Sequence, residues 1–322
     1  MNMKTVFTGF VTTLAVAALP AIASAGTVYV ATGSGNAVVG VDTQTHRITA
    51  TYPDIPNPHG LALADHGEYL VAGSLAEQDG KSQLYLIHPV HGHVMSTVTV
   101  DGWTHHQTAT PDGRYVISTH PTRNAVSLLD VQTNSLAATL PSGRSPNYTV
   151  VSADGSRAYV SNSGEASITE IDLVERRPLR TLQAGPVPEH MVMGPKGRNL
   201  YVANVRAGTV SEVNLDSGKI DRRFEVGEKL HGLDLSDDGR RLFTTTRKQE
   251  QVVMIELDTG AQRSLALSPD PYHVETIEGT GQVYVSSRKA PVIWVIDQAS
   301  FQVVDRFELP AGEGHQMVVV ED

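Results

Sequence analysis

The chain has 322 residues, no cysteine and a formal net charge of −10. The absence of cysteine excludes disulfides, thiolate metal sites and the C-x-x-C-H attachment of c-type haem. The acidic balance disfavours nucleic acid and anionic membrane surfaces as partners, because both attract basic footprints.

Residues 1–25 have the pattern of a secretory signal peptide. Lys4 is the only charged residue among them, an apolar stretch runs from Val6 to Leu19, and Ala23-Ser24-Ala25 supplies small residues for cleavage. The apolar stretch is short for a membrane span, so we predict cleavage and no membrane insertion afterwards, with an uncleaved anchor as the alternative. Cleavage removes one positive charge and no acid, which takes the net charge from −10 to −11. An exported chain without disulfides suits the bacterial periplasm, with secretion as the alternative.

A strand motif of the Tyr-Val type recurs through the rest of the chain, as in VYVAT (28–32) and LYVAN (200–204). Its aromatic residues stand 40 to 46 residues apart: Tyr29, Tyr69, Tyr115, Tyr159, Tyr201, Phe243 and Tyr284. A period near 42 residues is typical of one four-stranded propeller blade.

Each repeat has the same order of elements. An apolar first strand and a turn precede the Tyr-Val strand, and a charged, alternating strand such as IDRRFEV (220–226) comes last, as an outer edge should. The third strand of each repeat ends on a polar, turn-forming residue: Asp42, His88, Asp130, Asp172, Asn214, Glu256 and Asp297. The seventh first strand, GHQMVVVED, comes at the C-terminus, whereas the N-terminal repeat begins on a second strand.

These features predict an all-β fold, a single seven-bladed β-propeller over residues 26–322 with four-stranded antiparallel blades. The C-terminal inner strand is expected to pair with the N-terminal strands and close the ring. The repeat resembles the YVTN family over nearly all of residues 27–322. That resemblance implies the fold but specifies little about function, because such propellers bind cofactors, metals or proteins.

The first strands also share a polar position. The innermost strand of a propeller lines the central channel, so equivalent residues of seven blades should form a ring at one height. Six of these seven residues are histidine, and His106 adds a further imidazole in the second blade. In chain order the seven are His59, His105, Asn147, His190, His231, His273 and His315.

Two interpretations of this histidine ring compete. Histidine inherited from a duplicated repeat could be structural and donate to the carbonyl of a neighbouring blade. The residues on either side have diverged between repeats while the imidazole remains, which favours a metal site. Converging imidazoles repel one another when protonated, so the neutral, metal-binding form should dominate. Seven imidazoles exceed the four ligands of one zinc ion, so we expect several copper ions, with zinc as the second choice.

A ring of this kind resembles the copper-cluster domain of nitrous oxide reductase and the related copper propeller thiocyanate dehydrogenase. The resemblance implies a multinuclear copper site with seven ligands: His59, His105, His106, His190, His231, His273 and His315. This chain lacks the electron-delivering cupredoxin domain of the reductase. A redox function would therefore need an external electron-transfer protein, and a carrier function would need a copper-delivery protein.

Other residues near the ring are candidates for contacts to ligands or substrate, although most of them would simply solvate the channel mouth: Arg144, Glu189, Lys229, Tyr272 and Glu313. Trp103 is expected to pack between blades or wall the site, and Trp294 to pack between blades. A second histidine cluster, His88, His91 and His93, lies on an outer turn and either binds a surface metal ion or is solvated. Asp234, Asp237 and Asp238 lack the spacing of a calcium loop and suit a turn.

The sequence therefore predicts a periplasmic copper-binding propeller, acting as a copper oxidoreductase or a copper carrier; which of the two is left open. The alternative is a non-catalytic scaffold or accessory subunit for protein–protein interaction, with structural histidines. A tetrapyrrole bound through an axial histidine ranks last, because it would explain one or two histidines and not seven.

Overall fold

A computed structural model describes residues 26–321 of the chain. The signal peptide predicted over residues 1–25 lies outside the described residues. The described chain contains 28 β-strands and two short 3-10 turns, Gly33–Gly35 and Asp65–Gly67. Within residues 26–321, no helix has the length and apolar character required to cross a membrane.

The strands alternate with tight turns along the whole described chain. In chain order they are β1 (Gly26–Ala31), β2 (Val38–Asp42), β3 (Ile48–Tyr52), β4 (Pro58–Ala64), β5 (Tyr69–Ser74), β6 (Lys81–His88), β7 (His93–Asp101), β8 (Gln107–Ala109), β9 (Tyr115–His120), β10 (Ala125–Asp130), β11 (Ser135–Pro141), β12 (Pro146–Val151), β13 (Arg157–Asn162), β14 (Ser167–Asp172), β15 (Arg177–Gln183), β16 (Pro188–Met193), β17 (Asn199–Asn204), β18 (Thr209–Asn214), β19 (Ile220–Glu225), β20 (Leu230–Leu235), β21 (Arg241–Thr246), β22 (Gln251–Glu256), β23 (Gln262–Ala266), β24 (Pro271–Ile277), β25 (Gln282–Ser287), β26 (Val292–Asp297), β27 (Gln302–Glu308) and β28 (Met317–Glu321).

The strands form seven four-stranded antiparallel sheets, one for each blade. Blades 1 to 6 are consecutive groups of four: β4–β7, β8–β11, β12–β15, β16–β19, β20–β23 and β24–β27. Blade 7 has the order β28-β1-β2-β3, so the C-terminal strand pairs with the N-terminal one, Gly26 opposite Glu321. The predicted fold, blade count and closure are confirmed.

The third strands end where the sequence predicts. The strands β2, β6, β10, β14, β18, β22 and β26 end at the seven polar residues named above. Oδ1 of Asp172, for example, accepts hydrogen bonds from the backbone N–H groups of Val174 and Glu175, at 3.0 and 2.9 Å. Such an Asx turn satisfies the backbone at the hairpin and starts the return to the outer strand.

The hydrophobic core lies between the blades. Buried apolar residues form seven clusters, and each cluster joins two neighbouring blades. Trp294 packs with Phe243 of blade 5, which confirms the predicted interblade role. Because each blade buries a face against the next, the ring needs no disulfide to hold it together.

Two of the seven aromatic anchors occupy a different position from the others. In the pairing with the inner strand, Tyr29 of blade 7 and Tyr159 of blade 3 occupy equivalent positions. In blades 1 and 2 that position is taken by Val71 and Ile117. Tyr69 and Tyr115 lie two residues earlier, at the start of β5 and β9. The apparent spacings of 40 residues (Tyr29 to Tyr69) and 44 residues (Tyr115 to Tyr159) therefore reflect this offset, whereas the spacing of 46 residues between Tyr69 and Tyr115 is a real difference in blade length.

Candidate metal centre

Backbone bulges in the inner strands carry the candidate metal ligands. In β12, pairing with β13 is interrupted between Pro146 and Thr149, so two residues of the inner strand lie opposite one of its partner. The same interruption occurs in β16, β20 and β24, and between Pro58 and Gly60 of β4. A bulge changes the direction of side chains, and here it lets two consecutive residues approach the channel axis.

Each blade thus supplies a first and a second bulge residue. The first bulge residues of blades 1 to 7 are His59, His105, Asn147, Glu189, His231, Tyr272 and His315. The second bulge residues are Gly60, His106, Tyr148, His190, Gly232, His273 and Gln316.

Hydroxyl groups on the second strands hold these bulges in place. Oγ1 of Thr245 accepts a hydrogen bond from the N–H of Gly232 in its own blade, at 3.2 Å, and donates to the carbonyl of Tyr272 in the next, at 2.6 Å. Thr119 and Ser161 make the equivalent pair of bonds. This bridge explains the Ser or Thr of the Tyr-Val motif in blades 2, 3 and 5, where the hydroxyl fixes the bulge and ties adjacent blades together, whereas blades 1, 4 and 7 have Gly or Ala at this position.

The predicted ring at a single height is wrong in one respect. His59, His105, His231 and His315 are first bulge residues, whereas His106, His190 and His273 are second bulge residues. Glu189 and Tyr272 take the places expected for His190 and His273. The seven imidazoles therefore lie in two adjacent layers, four in one and three in the other.

All seven predicted ligands nevertheless come together in one group, here called the histidine cluster. The ring centroids of His59 and His105 are 4.3 Å apart, and those of His59 and His315 are 4.2 Å apart. His273 is central, since its ring lies 4.8 to 5.9 Å from those of five other members: His59, His106, His190, His231 and His315.

The histidine cluster is buried and leaves ring nitrogens without partners. Six members are 0 to 6% exposed, and His105 is partly exposed. Buried ring nitrogens lack a hydrogen-bond partner in all six: both nitrogens of His59, Nε2 of His106, His190, His231 and His273, and Nδ1 of His315. Unsatisfied buried nitrogens are costly, and a metal ion would satisfy several of them at once.

Two groups of three nitrogens are already close enough to hold a metal ion. In each group, the ligand atoms lie within 4.8 Å of one another, and His273 belongs to both. The groups are His59, His106 and His273, and His190, His231 and His273. The donor set is purely imidazole, which suits copper and zinc.

Hydrogen bonds orient several of these imidazoles. Nδ1–H of His231 donates to Oε2 of Glu189 at 3.1 Å, which leaves Nε2 free for a metal. Nε2–H of His315 donates to Oε1 of Glu313 at 3.2 Å, which leaves Nδ1 free. Nδ1–H of His106 donates to the carbonyl of Asn147 at 3.1 Å. Partners of this kind select the tautomer and the orientation of a metal ligand.

Of the other residues predicted near the ring, Glu189, Tyr272 and Glu313 contact the histidine cluster. The ring of Tyr272 stacks on that of His231 at 3.9 Å, with 5° between the planes. Arg144 and Lys229 are exposed, and Arg144 pairs with Glu165 at 3.4 Å. Trp103 lies against His105, with the ring centroids 6.0 Å apart, and so walls the site.

Three further residues at the site were not identified from the sequence. Tyr148 stacks on His190 at 4.6 Å. The guanidinium groups of Arg247 and Arg288 lie 5.2 and 4.9 Å from the centre of the Tyr272 ring, and Nη1–H of Arg288 donates to the Tyr272 hydroxyl at 2.7 Å. Tyr148 follows Asn147 directly, so its place beside a predicted channel residue was the available signal.

Burial is the main reason that the cluster is neutral. It lowers the pKa of His105 to about 4. Burial likewise lowers the pKa of the other six: His59, His106, His190, His231, His273 and His315. Repulsion between imidazoles, the cause expected from sequence, adds to this effect, and for His59 each neighbouring imidazole contributes less than burial does. The neutral form is the one that binds a metal ion.

The outer histidines do not converge in the same way. The rings of His88 and His91 are 4.1 Å apart, but those of His91 and His93 are 6.3 Å apart, and Nδ1 of His93 bonds the carbonyl of His91. Among residues 26–321, only the two groups in the histidine cluster bring three candidate ligands together. Asp238 lies in a turn as predicted, where its Oδ1 accepts from the N–H of Arg240 at 3.0 Å, whereas Asp234 lies on β20 and the prediction of a turn is wrong for it.

Fold and site together define a seven-bladed β-propeller with a buried histidine cluster on its axis. No protein-family model and no curated protein sequence matches the chain. Solved structures show the fold alone. A periplasmic gluconolactonase from Pseudomonas aeruginosa is 19% identical with a TM-score of 0.76, covering 92% of this chain and 99% of that one.

Two other propellers of similar shape have different functions. Hydrazine synthase from Kuenenia stuttgartiensis is 17% identical with a TM-score of 0.73, covering 87% of this chain and 98% of that one. The dihydro-heme d1 dehydrogenase NirN is 17% identical with a TM-score of 0.67, covering 88% of this chain and 64% of that one. Because these similar structures have varied functions, the activity of this chain has to be argued from its own site.

Proposed function

We propose that this chain is exported to the periplasm and holds more than one copper ion in the histidine cluster, as a copper oxidoreductase or a copper carrier. One observation carries the proposal: six buried imidazoles present ring nitrogens that have no other partner. Bound copper would supply one-electron redox chemistry there. The signal-like residues 1–25 and the absence of cysteine support export, and one similar propeller is itself described as periplasmic.

The protein's own residues would hold and orient the metal. The two groups that share His273 suggest two neighbouring positions for copper. Glu189 and Glu313 fix the tautomers of His231 and His315, so that one nitrogen of each is available. Burial keeps solvent away from the cluster, and the low pKa values of its histidines keep protons from competing with the metal.

Copper content of purified variants tests this proposal. The full-length chain is expressed, recovered from the periplasm and loaded with copper, and its metal content is measured by elemental analysis and electron paramagnetic resonance. His273→Ala should lose the most copper, because His273 belongs to both groups. His105→Ala should lose less, because His105 belongs to neither. His91→Ala on the outer turn is the matched control and should keep full copper.

Far-ultraviolet circular dichroism shows whether each variant is still folded. A folded wild-type protein that takes up no transition metal would overturn the copper site and favour the scaffold alternative. If the protein bound zinc tightly and did not bind copper, the site would be a zinc site and not a copper site. Transfer of copper to a Cu(I) chelator would indicate a carrier, and retention through cycles of oxidation and reduction would indicate an oxidoreductase.

A further inference from the structure

The central channel widens on one side of the histidine cluster into a cavity of about 710 Å³. The cavity approaches the cluster, because four of its lining residues directly follow cluster histidines in the chain: Gln107, Met191, Val274 and Gln316. It extends to the opposite face of the propeller, where the exposed residues Pro111 and Glu278 line it. The cavity therefore leads from solvent at that face to residues that adjoin the cluster, although no cluster histidine lines it.

Two adjacent blades place carboxylates in this channel. On each inner strand, the residue two positions after the second bulge residue lies at the same height in the channel. For blades 1 to 7 these residues are Ala62, Thr108, Val150, Val192, Asp234, Glu275 and Val318. Only Asp234 and Glu275 among them are charged. Two residues of a strand span about 7 Å, so this carboxylate pair lies about that far below His273 and its layer.

Protein groups do not compensate the charge of this pair. Asp234 accepts backbone hydrogen bonds from Thr276 at 2.7 Å and from Leu235 at 2.8 Å. Glu275 accepts no hydrogen bond and forms no ion pair within the part of the chain that the structure describes. The described wall of the cavity includes no lysine, arginine or histidine. A carboxylate pair of this kind lacks a cation.

A second feature lies next to the carboxylate pair, on the same strand as Glu275. Nε2 of His273 is buried without a partner, and His273 lies two residues before Glu275, on the same face of β24. The cavity wall also includes the methionines Met191, Met193 and Met317. Thioethers and imidazoles are ligands for Cu(I), whereas carboxylates attract cations in general.

We propose that the cavity is the route by which metal cations reach the histidine cluster, and that Asp234 and Glu275 form a cation-binding site on that route. The inference rests on the proposed function, since it assigns the direction from which the cluster is loaded. The opposite mouth carries charges of both signs, since Arg247 and Arg288 lie over Tyr272 and Arg247 pairs with Asp270 at 2.8 Å. The described wall of the cavity, by contrast, has acidic residues and no basic ones. Attraction by the carboxylate pair raises the local concentration of cations below the cluster.

Copper uptake kinetics test the route. Full-length metal-free protein is mixed with copper at low ionic strength, and loading is followed by stopped-flow spectroscopy. The double variant Asp234→Asn, Glu275→Gln should load about tenfold more slowly, while the final copper content stays the same. Glu165→Gln, which removes a carboxylate beside Arg144 at the opposite mouth, is the control and should load at the wild-type rate. Added salt should slow the wild type more than the double variant.

Terbium(III) provides a readout that does not depend on the cluster, because this hard cation prefers carboxylate oxygens. Tyr148 lines the same cavity as Asp234 and Glu275, and should sensitise the luminescence of bound terbium. The double variant should lose this signal and Glu165→Gln should keep it. Equal copper uptake rates or equal terbium luminescence in the wild type and double variant would overturn the inference. If the terbium signal is lost but no variant ever binds copper, the proposed function fails while the cation site stands.

Discussion

His120 shows how a single residue in this fold links charge to stability. It ends β9 at the position that Asn162 and Asn204 occupy in blades 3 and 4. Its Nδ1–H donates to the carbonyl of Trp103 at 3.2 Å, and its Nε2 accepts from the hydroxyl of Ser127 at 2.8 Å. Burial lowers its pKa to about 4 from the ordinary value of 6.5. The native protein therefore holds this imidazole neutral.

The pH dependence of stability should change in His120→Asn. Between pH 6.5 and 4 the unfolded chain binds a proton here that the folded chain does not, so the free energy of unfolding falls as the pH falls through this window. The loss from His120 is on the order of 2 kcal/mol at pH 5, at about 1.4 kcal/mol per unit of pKa shift. Asparagine, native at the equivalent positions, can bond Ser127 without titrating.

Urea unfolding of both proteins at pH 7.5 and pH 5 measures the effect. The wild type should lose more stability than His120→Asn between the two values. An equal loss in both would show that His120 titrates in the folded protein as it does in the unfolded chain.

Most residues of the candidate site could be identified from sequence, but not their heights. All seven predicted histidines come together, since each lies at or near the start of an inner strand. Their two-layer order depends on the bulges, which a count of strand starts cannot detect. A weak signal was present: the intervals Asn147 to His190 and His190 to His231 are 43 and 41 residues, one above and one below the blade period.

The strands are stabilised by the burial of their side chains between blades. β28 is short, yet Met317 within it is 1% exposed and belongs to the core cluster that joins blades 6 and 7. The outer strand β27, by contrast, leaves Val304 56% exposed. The sequence distinguishes these strands, because polar and apolar residues alternate in the outer strand whereas the inner strand is apolar. The outer strand packs against neighbours on fewer sides, so fewer of its side chains are buried.

Truncating one apolar side chain in each strand tests this difference. Met317→Ala should lower the free energy of unfolding by about 2–5 kcal/mol, because it removes buried contacts and leaves a cavity. Val304→Ala, the matched control on β27, should change it by less than about 0.5 kcal/mol. The measurement is the midpoint of urea unfolding. Similar shifts in the two variants would mean that the inner strand is not a main contributor to the closed ring.

At the scale of the whole molecule, the fold was predictable because it repeats. A period near 42 residues, seven inner strands and an N-terminus that begins on a second strand admit one closure, and the structure has it. The carboxylate pair was not predicted, because Asp234 was considered only with its chain neighbours Asp237 and Asp238. Its partner Glu275 is 41 residues away and meets it only in the folded ring.

A circular permutant tests how much the closure contributes. Joining Asp322 to Gly26 by a short linker and opening the chain between Ala311 and Gly312 keeps every blade but makes blade 7 continuous. The covalent connection from blade 6 through β28 is then lost, so blades 6 and 7 are held only by packing. We expect the permutant to fold and to have a lower thermal unfolding midpoint than the wild type.

The same linker inserted into the exposed turn at Gly279 is the control for the permutant and should have little effect. A permutant as stable as the wild type would show that packing between blades alone keeps the ring shut.

The cluster histidines come from distant parts of the chain, so metal binding would depend on whether the blades that supply them are intact. They come from six of the seven blades, and His59 and His315 are separated by nearly the whole folded sequence. A metal ion held by one of the two groups of three would lose a ligand when any of the three blades that supply that group opens. Bound metal should therefore slow hydrogen exchange together in the blades that supply its ligands, turning locally stable units into a more cooperative one.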